Sequence, residues 1–162
     1  MNVDAFAGGF HDERGSMTAS PQVFTLEEVN SLVPRLKSLV AAQMGRRSQI
    51  EGRLAELTAL LGSLPDAIEV DERDTPQIRD LKQDIALRVE QYQSAWREVE
   101  DLGAVLKDAR VGLLDFYGQV DGKLVWLCWK FGEDAVMHYH GLDEGFSGRK
   151  PIEPTMRQRH LN

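Results

Sequence analysis

Residues 113–131 read LLDFYGQVDGKLVWLCWKF, and this stretch decides the fold. β-formers dominate on both sides of Asp121 and Gly122. An Asp-Gly pair between two such runs closes a two-residue hairpin, because its left-handed backbone matches the twist of the flanking strands. The spacing predicts strands over Leu113 to Val120 and Lys123 to Phe131. Gly132, Glu133 and Asp134 form the next turn signal, and Ala135 to His140 make a third run. The expectation is a small three-stranded antiparallel β-meander over about 111–141.

Upstream the apolar period is helical. Thr25 followed by Leu26, Glu27 and Glu28 is a capping box, in which Thr and Glu side chains satisfy amides at a helix start. Val29, Leu36, Ile50 and Leu57 share one heptad position; Val33, Val40, Leu54 and Leu61 lie four residues further on. Pro34 interrupts this seam and predicts a kink or short break, since proline donates no backbone hydrogen bond. Gln43 and Arg47 make its middle wet, and Gly62 ends it as a C-cap. Thr75 and Pro76 announce a second helix, where Ile78, Ile85, Tyr92, Val99 and Leu106 recur every seven residues with Val89 and Trp96 beside them. The expected class is therefore α+β: a long antiparallel, coiled-coil-like helical hairpin over about 25–104, joined by the loop from Ser63 to Asp74, then the meander.

Around this single α+β domain, placed at 23–146, the flanks differ in composition. Residues 1–22 are Gly-rich and aperiodic and read as a flexible leader. Residues 147–162 carry Arg149, Lys150, Arg157 and Arg159 against one acid, Glu153, and read as an extended basic tail. The net charge of -7 and pI near 5.1 argue against direct nucleic-acid binding, which depends on Lys and Arg meeting phosphates. No apolar run approaches the roughly 20 residues needed to cross a bilayer, and no export signal is visible. Cys128 is the only cysteine, so neither an intramolecular disulfide nor a CxxC zinc motif can form. A cytoplasmic location is expected.

Three segments together resemble a known family: FTLEEVNSLVPRL from residue 24, KDARVGLLDFYGQVDGKLVWLCWKFGED from 107, and HYHGLDEGFSGRKPI from 138. They are similar to the bacterial domain-of-unknown-function family 2203 over about 24–152. The resemblance implies interest in Cys128, Trp129, Glu133, His140, Gly145, Phe146, Gly148 and Arg149, and it carries no activity with it. Where the pattern leads us to expect an aromatic pair before the late histidine, this chain has His138 and Tyr139, so a site using His138 would be particular to this branch.

Register arithmetic supplies a candidate site. A two-residue loop at 121–122 places Asp115 opposite Cys128 and Tyr117 opposite Trp126. A three-residue loop at 132–134 then places His138 opposite Cys128 and His140 opposite Trp126. Asp115, Cys128, His138 and His140 would share one face, with ligand types suited to zinc or iron. The same residues also fit a thiol activated by histidine. A slip of one residue in the second loop would send both histidines to the other face. The competing reading is a buried structural cysteine with packing histidines. HExxH, GxSxG and phosphate-binding glycine loops are absent, so an enzyme is not the first reading.

Gly145, Phe146, Gly148 and Arg149 suit either an anion-binding turn or a chain reversal with Phe146 as anchor, and Glu133 reads as a solvated turn residue unless it turns toward Cys128. The loop acids Asp66, Glu69, Asp71, Glu72 and Asp74, against Arg73, make an acidic tip of net charge -4. By shape alone this resembles the acidic-tipped coiled-coil factors that act on RNA polymerase. Leu26, Leu32, Leu39, Leu60, Leu81 and Leu102 lie beside the seams, more apolar positions than one helix pair needs. The first expectation is therefore a protein-interaction or assembly module, self-associating as a homodimer through the hairpin, with the metal site and the polymerase factor as alternatives.

Overall fold

A computed structural model of the chain describes residues 21–153 together with Val3. Two helices pack against each other and are followed by a five-stranded antiparallel sheet: α1 (Leu26–Leu61), α2 (Pro76–Asp101), β1 (Val105–Asp108), β2 (Leu113–Val120), β3 (Lys123–Lys130), β4 (His138–His140) and β5 (Lys150–Pro151). A short 3-10 helix, Phe146–Gly148, precedes β5. The strands lie in sequence order. No helix among the described residues is long and apolar enough to cross a membrane. Most of the leader, and the tail from residue 154 on, lie outside the described residues.

The helix signals act as written. Thr25 N–H donates to Glu28 Oε2 at 2.8 Å, and Glu28 N–H donates back to Thr25 Oγ1 at 3.1 Å, which is the capping box. Ile78 N–H donates to Thr75 Oγ1 at 3.3 Å at the start of α2. α1 runs through Pro34 without a break in the helix. Pro34 lies in the third turn with an exposed ring, and the Asn30 side chain accepts the N–H of Val136 at 2.7 Å.

The chain divides into two compact units. In the first, residues 41–98, α1 and α2 run antiparallel. Gln43 Nε2 donates to the Tyr92 carbonyl at 2.8 Å, Arg88 donates to Gln49 at 2.9 Å, and Arg53 meets Asp84 at 3.1 Å, so rising numbers on one helix meet falling numbers on the other. Ile50, Leu57, Ile85, Tyr92 and Trp96 are fully buried. Gln43 is buried too, satisfied by Tyr92 and by Arg46, so the seam is polar there as expected. Leu61, assigned to the seam, is exposed in the last turn.

The second unit holds residues 21–40 with 99–153. Its hairpin closes at Asp121 (φ 51°) and Gly122 (φ 77°), the two positive-φ residues of a type I′ turn. Leu114, Phe116, Leu127 and Trp129 point to one face, where Phe24 meets Phe116 edge-on at 5.4 Å.

The three-strand expectation becomes five. Leu106, read as the last helical heptad position, belongs to β1, because Gly103 (φ 102°) ends the helix. The third strand is shorter than Ala135 to His140, since Val136 N–H turns to Asn30 rather than to the ladder. The tail is ordered as far as Lys150–Pro151, which pairs with His138 and Tyr139.

Candidate metal centre

The other face of the sheet carries the candidate residues. β2 pairs with β3 so that Asp115 lies opposite Cys128 and Tyr117 opposite Trp126, the register set by the Asp-Gly turn. β4 pairs with β3 so that His138 lies opposite Cys128 and His140 opposite Trp126. Side chains alternate along a strand, so all six share one face. The Tyr117 and Trp126 rings lie 4.0 Å apart, with Lys107 of β1 4.1 Å over Trp126.

Within this face Asp115, Cys128 and His140 form a cluster whose ligand atoms all lie within 4.8 Å of one another. All three are buried, with 1%, 0% and 3% of their surface exposed. His140 Nδ1 lies 3.0 Å from the Gly141 carbonyl, and its Nε2 lies 2.9 Å from Asp115 Oδ2. A carbonyl can only accept, so Nδ1 carries a proton and donates it. Nε2 can then face a carboxylate oxygen only across a second proton or across a cation in its place. Asp115 Oδ1 is buried, and the Cys128 thiol is the polar group beside the carboxyl besides His140.

Asp115 and Cys128 resist charge when nothing joins them. Burial pushes the Asp115 carboxyl above the usual carboxylate range, against the pull of His140, Cys128 and Lys107. Burial, and then the neighbouring Asp115, push the Cys128 thiol up to about 12. That direction is opposite to what an activated nucleophile needs, so the geometry gives no support to thiol catalysis.

His138 departs from the expected ligand set. It stands beside the cluster, but its Nδ1 accepts from Arg149 Nη2 at 2.7 Å. The same Nη2 donates to Glu133 Oε1, and Glu133 Oε2 accepts the N–H of Lys130 at 2.8 Å. Glu133 is therefore not a solvated turn residue: it faces Arg149 on the Cys128 side. Trp129 is buried on the opposite face, and its Nε1 donates to the Glu133 carbonyl at 3.0 Å. Phe146 is exposed, with the Arg149 guanidinium 4.8 Å from its ring and Lys130 at 5.7 Å. Gly145 caps the 3-10 helix, and a Cβ at Gly148 would meet the Glu144 side chain at 2.9 Å. The Arg149–Glu133–His138 contact had no signal in the sequence beyond the shared segment that carried the family resemblance.

The loop acids are partly committed elsewhere. Asp74 is held by the buried Lys82 at 2.9 Å, and that lysine also donates to the Glu69 carbonyl. Asp74 accepts from Asp71 N–H, and Asp71 accepts from Arg73 N–H. Asp66, Glu69 and Glu72 are exposed.

No curated protein and no solved structure matches the chain. A family model described as uncharacterized conserved protein matches residues 22–152, a span that takes in both helices, all five strands and every member of the cluster. On that match the chain belongs to domain-of-unknown-function family 2203.

Proposed function

We propose that this is a metal-binding protein whose ligands are Asp115, Cys128 and His140, with zinc favoured over iron. The observation that carries the reading is the position between His140 Nε2 and Asp115 Oδ2, which needs a cation or proton, beside a buried thiol. A carboxylate, a thiolate and a neutral imidazole balance the charge of a divalent ion, which removes the cost of burying each group alone. Tetrahedral zinc holds its ligand atoms roughly 3.5 Å apart, so the 2.9 Å imidazole–carboxylate pair opens slightly while the longer separations, up to 4.8 Å, close. The Gly141 carbonyl fixes the His140 ring with Nε2 inward, as second partners do for metal-bound imidazoles.

Cobalt(II) titration of metal-free protein tests this. The account expects one equivalent bound, with a thiolate-to-cobalt band in the near ultraviolet and intense tetrahedral bands in the visible. Cys128→Ser should lose the thiolate band. A spectrum of hexaaqua cobalt in the wild-type protein would overturn the reading.

Self-association through the helices is a second reading, supported by Leu60, Leu61 and Leu87, which are exposed in the 41–98 unit. Its leucine argument is narrower than the sequence alone implies: Leu81 is buried within the chain, and Leu26, Leu32, Leu39 and Leu102 are half-buried. Light scattering at tens of micromolar protein decides it, and a monomer would remove its support.

A further inference from the structure

The cluster offers three protein ligands, and among the described residues no fourth acid, cysteine or histidine joins it. A tetrahedral ion there keeps one position for a ligand from outside. What surrounds that position favours negative charge. Arg149 is nine-tenths buried and bonds through Nη2 to Glu133 and to His138, the residue directly across from Cys128. Its Nε is buried without an acceptor. A buried guanidinium N–H without a partner is costly, and an anion is the acceptor that relieves it best. Lys107 and Lys130 add positive charge on the same sheet face.

Arg149 Nε is thus a buried donor without an acceptor, on an arginine bonded to the residue directly across from Cys128. An anion bound to a metal ion in the cluster would give that donor its acceptor. We propose that the site takes a small monoanion of the carboxylate class as its exogenous ligand, coordinated to the metal and hydrogen-bonded to Arg149. The inference rests on the metal reading above. The Gly145–Arg149 turn then acts as an anion-recognition element, with Glu133 and Phe146 holding the guanidinium plane in place.

The test titrates cobalt-loaded full-length protein with acetate and, as a smaller monoanion, azide. The result expected is a saturable change in the visible bands with both probes, and affinity about tenfold weaker in Arg149→Met, the loss of one charged hydrogen bond. Cobalt uptake by that variant reports an intact cluster. If Arg149→Met takes up no cobalt, the comparison moves to Arg149→Lys, which keeps the charge but lacks the second donor of the fork. Wild-type bands that neither anion alters, or variants that bind anions as tightly as wild type, would overturn the inference while leaving the metal reading intact. Failure of the wild-type protein to bind cobalt at all would overturn both.

Discussion

Cys128 shows how one side chain ties stability to pH. Its thiol is raised to about 12 in the folded chain, against an ordinary value of 9.0. Between those values the unfolded chain has released the proton and the folded chain still holds it. Stability of the metal-free protein therefore falls as pH rises through that window, by at most about 4 kcal/mol. Urea denaturation near pH ~8 and pH ~10 should show the loss, and Cys128→Ser should flatten it; equal slopes in both proteins would mean that the thiol is not buried as described. Asp115 has the same sign: its raised carboxyl keeps its proton where the unfolded chain has lost it, so ionising it at neutral pH costs stability. Asp115→Asn should leave the metal-free protein as stable as wild type or up to about 2 kcal/mol more stable, yet unable to bind metal tightly. A large loss of stability in that variant would make the carboxylate a structural group.

Among the elements, Gly103 is the residue that separates helix from sheet. It has φ 102°, and a Cβ there would stand 2.2 Å from Phe24 Cζ, so Gly103→Ala combines backbone strain with a clash against a buried ring. Gly62 has φ 81° but open space around it, so Gly62→Ala should cost only the left-handed backbone penalty of about 1 kcal/mol. Thermal denaturation of the two variants should rank them clearly, with Gly103→Ala the worse, and equal losses would contradict the Phe24 packing. The caps, the seams and the hairpin turn were legible because each depends on residues close in sequence or on a strict period. β1 and β5 were not. Four and two residues long, they carry no alternation of their own, and they pair only because β2 and β4 present free edges. Leu106 continued the heptad count past a glycine that stops the helix. The Asp115–Cys128 pair followed from the turn, and His140 from counting across the second connection. The capture of His138 by Arg149 is a contact between residues 11 apart that no period encodes.

At the scale of the whole molecule, the metal reading makes stability depend on ligand. A metal that binds only the folded chain stabilises it by about 2.7 kcal/mol at one hundred times its dissociation constant, so zinc should raise the melting temperature of wild-type protein and leave Cys128→Ser unmoved. Uptake should also release protons, chiefly from Cys128, whose thiol must ionise to bind. The most direct test is metal content by elemental mass spectrometry, on untagged protein purified without chelators, beside Cys128→Ser and His140→Ala. The account predicts near-stoichiometric zinc or iron in the wild-type protein and its loss in both variants. Wild-type protein that stays metal-free after incubation with zinc or iron would contradict it and return Asp115, Cys128 and His140 to the core as packing residues.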